Sequence, residues 1–253
     1  FKNNGELWIN YMYTTRFSGN VFSNIENMHT EDWIVFAPQV PENQRVFTQN
    51  LFHDVGLKWV ARSGSAFSHC SFINVRETFD TTNVFRVLDS LKFNACLFSG
   101  YQNSHPLIES PNTSNWWVKA VNCVFESPCE SVLSGGDTLL CNGSNVFGIA
   151  PAFYDTSAGD YRLLPCSPGI NMSDPETLLA LGITTDLSGY PRVANGMPDA
   201  GAYETLIPLN RDTLIHATCD GATDGTVIYQ GNVCPPLQYY WVNSDGITGT
   251  QPN

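Results

Sequence analysis

Charge is scarce in this sequence. Only 14% of its 253 residues are Asp, Glu, Lys or Arg, and the 12 basic residues are outnumbered by 24 acidic ones. A net charge of −12 leaves no basic patch to displace counterions, so neither nucleic acid nor an anionic membrane surface is an expected partner. Long apolar runs are missing too. None reaches the ~18 residues that cross a bilayer as a helix, so membrane insertion is not expected. Stretches rich in Lys, Glu and Leu are also lacking, which argues against a helical protein. The 8 cysteines lack the paired spacing of a zinc site, and the 5 histidines form no HxH or HExxH pattern. No metal centre or cofactor is therefore read, and calcium is the one ion that the acidity would admit.

What the chain has instead is phenylalanine in a recurring frame. Phe67-Ser68-His69-Cys70-Ser71-Phe72 returns as Phe17–Phe22, Phe47–Phe52 and Phe93–Phe98, and more weakly as Ala120–Phe125 and Asn142–Phe147. The last position is always Phe, and the position two before it is always Asn or Cys. Two residues after the Phe stands Asn24, Asp54, Asn74, Gly100 or Ser127, mostly turn formers. The closing Phe recurs at intervals of 20 to 30 residues, the period of a solenoid in which each repeat buries its apolar face on the next. Between the frames lie short apolar runs bounded by turn residues, such as Leu57-Lys58-Trp59-Val60 and Asn83–Leu88. Two or three short strands per period, with sharp corners and no helix, predict the coils of a parallel β-helix. Phe should then stack over Phe inside, and Asn over Asn at the bends.

In that register Cys70, Cys96 and Cys123 form one column, read as stacked buried thiols. Cys129, Cys141, Cys166, Cys219 and Cys234 are the candidates for bridges in an oxidising compartment. Insertions differ from coil to coil. The loops around 26–45 and 101–117 are the expected binding loops, since uneven loops on one side of a regular scaffold are where function concentrates.

Residues 150–205 change character. Pro151-Ala152-Phe153-Tyr154-Asp155, Gly159-Asp160-Tyr161-Arg162-Leu163 and Cys166-Ser167-Pro168-Gly169-Ile170-Asn171 are followed by Thr185–Arg192 and Pro198-Asp199-Ala200-Gly201-Ala202-Tyr203-Glu204. This order and spacing resemble the closing segment of bacterial right-handed β-helix surface proteins of the choice-of-anchor Q type. The resemblance implies a right-handed helix and a secreted or cell-surface setting, and transfers no catalytic residues. Physically the segment reads as a cap for the last coil. Asp160, Asp186 and Asp199 lie beside turn glycines, and Ser173-Asp174-Pro175-Glu176 opens a short helix over Leu178–Leu181. Residues 206–253 begin something new, with two strands around a turn and the aromatic strand Tyr239-Tyr240-Trp241. They are similar to the start of an SprB-type, Ig-like repeat of Bacteroidota gliding adhesins, although Asn232-Val233-Cys234 replaces the usual glycine pair. Together the resemblances imply a Bacteroidota surface protein or one exported by type-nine secretion. The chain opens in mid-repeat at Phe1, so it is expected to be part of a longer chain.

Candidate chemistry is sparse. Arg16, Lys92 and Lys119 each lie six residues before a closing Phe, in register with Val46 and Ala66. Lys92 and Lys119 should be neighbours on adjacent coils. With Asp54 and Asp80 as carboxylates, they are the residues a polysaccharide lyase or glycoside hydrolase would use. His69 and Cys70 are adjacent in the frame, which points them apart and speaks against a His–Cys nucleophile pair. Tyr101, Trp116 and Trp117 are the candidates for an aromatic sugar platform. The reading is thus all-β: a right-handed parallel β-helix with a C-terminal cap to about residue 205, then a partial β-sandwich-like module. The expected function is a non-enzymatic surface module, extracellular or outer-membrane associated, for adhesion to glycan or another surface protein. A carbohydrate-active enzyme is the alternative.

Overall fold

The computed structural model describes residues 2, 6–10, 16–31, 46–61, 65–78, 83–87, 90–101, 105–110, 117–134, 143–194, 196–205, 213–215, 226–228, 238–242 and 248–252. The repeats form a parallel β-solenoid with three faces, consistent with a right-handed parallel β-helix. The first face stacks Arg16–Ser18, Val46–Thr48, Ser65–Ser68, Ser90–Asn94 and Trp117–Val121. The second stacks 21–23, 51–53, Ser71–Ile73, Leu97–Ser99, Val124–Phe125 and Val146–Phe147. The third stacks Glu6–Asn10, 27–31, 57–61, Phe85–Val87, Ile108–Glu109 and Leu133–Ser134. In the early coils the second and third faces are one long strand each, Val21–Glu31 and Leu51–Ala61.

The frame register is the one read from the sequence. Phe22, Phe52, Phe72, Phe98, Phe125 and Phe147 stack with centroids 4.6 to 5.0 Å apart and nearly parallel rings. That is the spacing of neighbouring strands, so each ring sits on the one below without leaving its own coil. Phe17, Phe47, Phe67 and Phe93 form a second column; from the third face Trp59 meets this column edge-on and Phe85 meets both.

Between the first two faces the chain turns through one left-handed residue per coil: Gly19, Gln49, His69, Ala95 and Asn122, with φ between 47° and 69°. Four of these have a Cβ, which makes the conformation costly. Backbone hydrogen bonds hold it in place. The N–H groups of Gln49, His69 and Ala95 donate to Ser68, Asn94 and Val121 of the next coil at 2.9 to 3.1 Å, so the ladder runs unbroken around the corner. The next residue fills the bend from inside. Asn50 Oδ1 accepts from the backbone and the side-chain amide of Asn20, both at 3.0 Å, while its Nδ2 donates to Phe17 O. Cys70, Cys96 and Cys123 continue the column as buried free thiols, and Asn145 resumes it by accepting from Cys123 N. Cys129 and Cys166 are disulfide-bonded, as the sequence suggested; Cys141, Cys219 and Cys234 lie outside the described residues.

The closing segment contains a hairpin, Phe153–Asp155 with Asp160–Leu163, and the helix Pro175–Ala180, whose Asp174 N-cap accepts from Glu176 N at 2.9 Å. The sequence expectation places this segment over the last coil. Its contacts instead run along the flank of the second face. The outward column there is Val21, Leu51, Ser71, Leu97, Val124 and Val146, apolar but for Ser71 and exposed only at Val21. Leu51, Leu97 and Val124 are buried in a second core with Tyr161, Leu163 and Ala200. The strap comes closest where the column narrows to serine. Ala202 N donates to Ser71 Oγ at 2.9 Å and Gly201 N to Ala95 O at 2.8 Å. A Cβ on Gly201 would lie 2.6 Å from Ser71 Oγ, and its φ of 91° disfavours any side chain. Beyond the strap, Thr213–Ile215 pairs with Thr226–Ile228, and Gln238–Val242 with Thr248–Pro252, each as a separate antiparallel ladder.

Candidate binding surface on the first face

Alternation along Trp117–Val121 sends Val118 and Ala120 into the core and leaves Trp117 half-buried and Lys119 exposed. Lys119 pairs directly with Lys92, which continues through Ala66 and Val46 to Arg16, the register expected from the frame. Two ammonium-bearing strand positions therefore sit side by side, about 4.8 Å apart along the stack. Like charges facing each other across a ladder are destabilising. Lys92 leans over the Trp117 ring instead, with Nζ 4.8 Å from its centroid. A cation over an indole face is worth about 0.5–1 kcal/mol at an exposed site. Among the described residues neither lysine has an ion-pair partner.

The other expected site residues are elsewhere. Asp54 lies in the second corner with φ 55°, across the second face from the lysines. Its Oδ1 accepts from Asn74 Nδ2 at 3.1 Å, and its Oδ2 lies 3.0 Å from His53 Nδ1. The structure does not join it to Lys92 or Lys119. Asp80 and Trp116 fall outside the described residues, as do most of the loops at 26–45 and 101–117. Tyr101 is half-buried. Its hydroxyl lies 3.1 Å from Glu77 Oε1 and 3.0 Å from His105 O, two acceptors within reach of its one proton, so it ties one loop to the coil beneath.

Sequence reasoning missed a buried polar cluster under the strap. His69, at its corner, is fully buried between Ser68 Oγ and Ser173 Oγ, each 2.9 Å from a ring nitrogen. Burial, and then the nearby Arg192 charge, push its pKa well below the usual imidazole value, so it is neutral. Arg192 is itself buried. Its Nη2 donates to the carbonyls of Asp199 and Gly201, and Nη1 lies 3.7 Å from Glu204 Oε2. Asp199 accepts from Asn171 N and Thr205 N, and Asp186 from Ser188 N, Tyr190 N and Glu204 N. Burial, followed by the charge of Asp199, pushes Glu204 up to about 7. These groups are closed to solvent and several of them bond the backbone, although Nε and Nη1 of Arg192 are buried without a hydrogen-bond partner, so the cluster fastens the strap. The signal in the sequence was the clustering of Arg192, Asp199 and Glu204 in an otherwise charge-poor chain.

Among the described residues no His, Cys, Asp and Glu group is placed to hold a metal ion, and no helix is long and apolar enough to cross a membrane. No family model, curated protein or solved structure matches the chain.

Proposed function

We propose that this chain is a non-enzymatic β-helix module of a secreted or surface-displayed protein, and that its flat first face binds glycan. The observation that carries the reading is the trio of Trp117, Lys92 and Lys119. An indole for sugar stacking lies beside two lysines that have no carboxylate partner among the described residues, on a face whose strands repeat along one axis. Such a surface suits an extended acidic polysaccharide lying along the stack, with its carboxylates over the lysines. The disulfides at Cys129 and Cys166 support an oxidising, extracellular setting. The resemblances to choice-of-anchor Q and SprB-type proteins agree with that setting and with an adhesive role in Bacteroidota. Another surface protein that displays acidic sugars would engage the same face.

The lyase or hydrolase alternative draws on the same lysine pair, but needs a carboxylate beside it. A glycan array probed with the full chain tests the binding reading. Acidic glycans should be retained, and Trp117→Ala should lose that retention. An array without signal from the unaltered protein would reject the reading. Appearance of unsaturated or reducing ends on the bound polymers would favour the enzyme instead.

A further inference from the structure

Away from the first face, the strap carries a polar cleft of about 360 Å³ lined by Ala158, Gly159, Asp160, Arg162, Ser188, Tyr190 and Tyr203. Three separate stretches of chain build it. Asp160 and Arg162 come from the same side of one hairpin strand. Ser188 and Tyr190 come from the turn held by Asp186, and Tyr203 from the segment that docks on Ser71.

Arg162 and Asp160 form a two-point contact, Nε to Oδ1 at 2.9 Å and Nη2 to Oδ2 at 2.5 Å, with the guanidinium 5.1 Å from the Tyr154 ring centroid. Asp160, held below the usual carboxylate range first by this bond, stays ionised, and Arg162 stays charged. The pair thus sums to zero charge while offering fixed acceptors and donors side by side. A hairpin staple would need no more than this. What the staple does not account for is the opposite wall. Tyr203 is half-buried and packed on the second core, and Tyr190 is 41% exposed. Among the described residues the hydroxyls of both tyrosines have no hydrogen-bond partner. Burial first, and then Asp186 and Asp160, push Tyr203 up to about 12, so its hydroxyl stays a proton donor.

We propose that this cleft binds one unit of a neutral saccharide. Vicinal hydroxyls each give and take hydrogen bonds, which a tied carboxylate–guanidinium pair can satisfy together. The tyrosine faces accept the apolar C–H side of a sugar ring, and their hydroxyls reach its rim. The volume lies at the small end of ligand clefts, room for one ring. A free anion gains little because Asp160 already neutralises Arg162, and the carboxylate of Asp186 lies behind the site. The cleft is separate from the first face, which selects for negative charge.

The test is saturation-transfer NMR and titration of the full chain with the methyl glycosides of galactose, mannose, glucose and fucose, and with glucuronate and N-acetylneuraminate. At least one neutral glycoside should bind. Tyr203→Phe, which keeps the packed ring, should weaken it about five-fold, the loss of one hydrogen bond. Tyr190→Ala should weaken it about ten-fold. Trp117→Ala should leave it unchanged, whereas loss of acidic-glycan binding in that variant bears on the first face alone. The proposal is overturned if none of the four neutral glycosides binds, if binding survives both tyrosine substitutions, or if only the two acids bind.

Discussion

At the scale of single residues, the fold depends on columns whose members cannot be replaced independently. Phe72 lies fully buried between Phe52 and Phe98. Phe72→Ala should cost about 3–5 kcal/mol, because the cavity opens in the middle of a stack that cannot collapse sideways. Asn50→Ala should cost about 2–4 kcal/mol, since it leaves Asn20 N–H and Phe17 C=O unpaired at a bend. Urea denaturation measures both. Glu204 gives a pH signature. Its folded pKa of about 7 lies above its unfolded value of ~4.3, so the native state binds more protons between them. Its contribution is fully present below about pH 4.3 and lost as pH rises through about 7. Glu204→Gln removes that dependence. The stability of the variant relative to the unaltered protein should therefore rise between pH 5 and pH 8, by on the order of 3 kcal/mol. A flat difference would remove Glu204 from the buried cluster. Much at this scale was legible in the sequence. The Phe columns and the Asn/Cys ladder could be read because stacking places like residues over like. The burial of His69 could not, because it depends on Ser173 and Arg192, more than a hundred residues away.

At the scale of elements, the strap is the feature that the sequence showed least clearly. Its turns, its helix and the aspartates that cap them could be read from local chemistry. Where it lies could not, because no local rule says which surface a segment covers. A clue was present. Val21, Leu51, Leu97, Val124 and Val146 precede the closing Phe, so every strand of the second face but that of Ser71 is apolar on both sides. That pattern belongs to strands buried on both faces. The first face lacks it, with Lys92 and Lys119 outward. Docking at Ser71 makes Gly201→Ala a selective lesion. The new Cβ meets Ser71 Oγ at 2.6 Å and needs an unfavourable φ. Hydrogen exchange should show amides of residues 163–205 losing protection while those of the Phe columns keep theirs. Uniform loss across both would mean that strap and solenoid form one cooperative unit.

At the scale of the whole molecule, regular strands set the first face, and a folded-back strap covers most of the apolar flank of the second. Cys129 and Cys166, both disulfide-bonded, lie where the repeats end and the strap begins. Reduction under native conditions should lower stability by about 2–5 kcal/mol, read as a fall in the melting midpoint, while the three ladder thiols stay unreactive to a thiol probe until unfolding. The central claim is that the first face is the binding surface. It is tested most directly by surface-plasmon titration of immobilised acidic polysaccharide with the full chain, Trp117→Ala, and the paired Lys92→Ala and Lys119→Ala variant. The account predicts binding that weakens with salt, falls at least about ten-fold in Trp117→Ala and is lost in the lysine pair variant. Binding that is indifferent to all three substitutions, or absent in the unaltered protein, would contradict it.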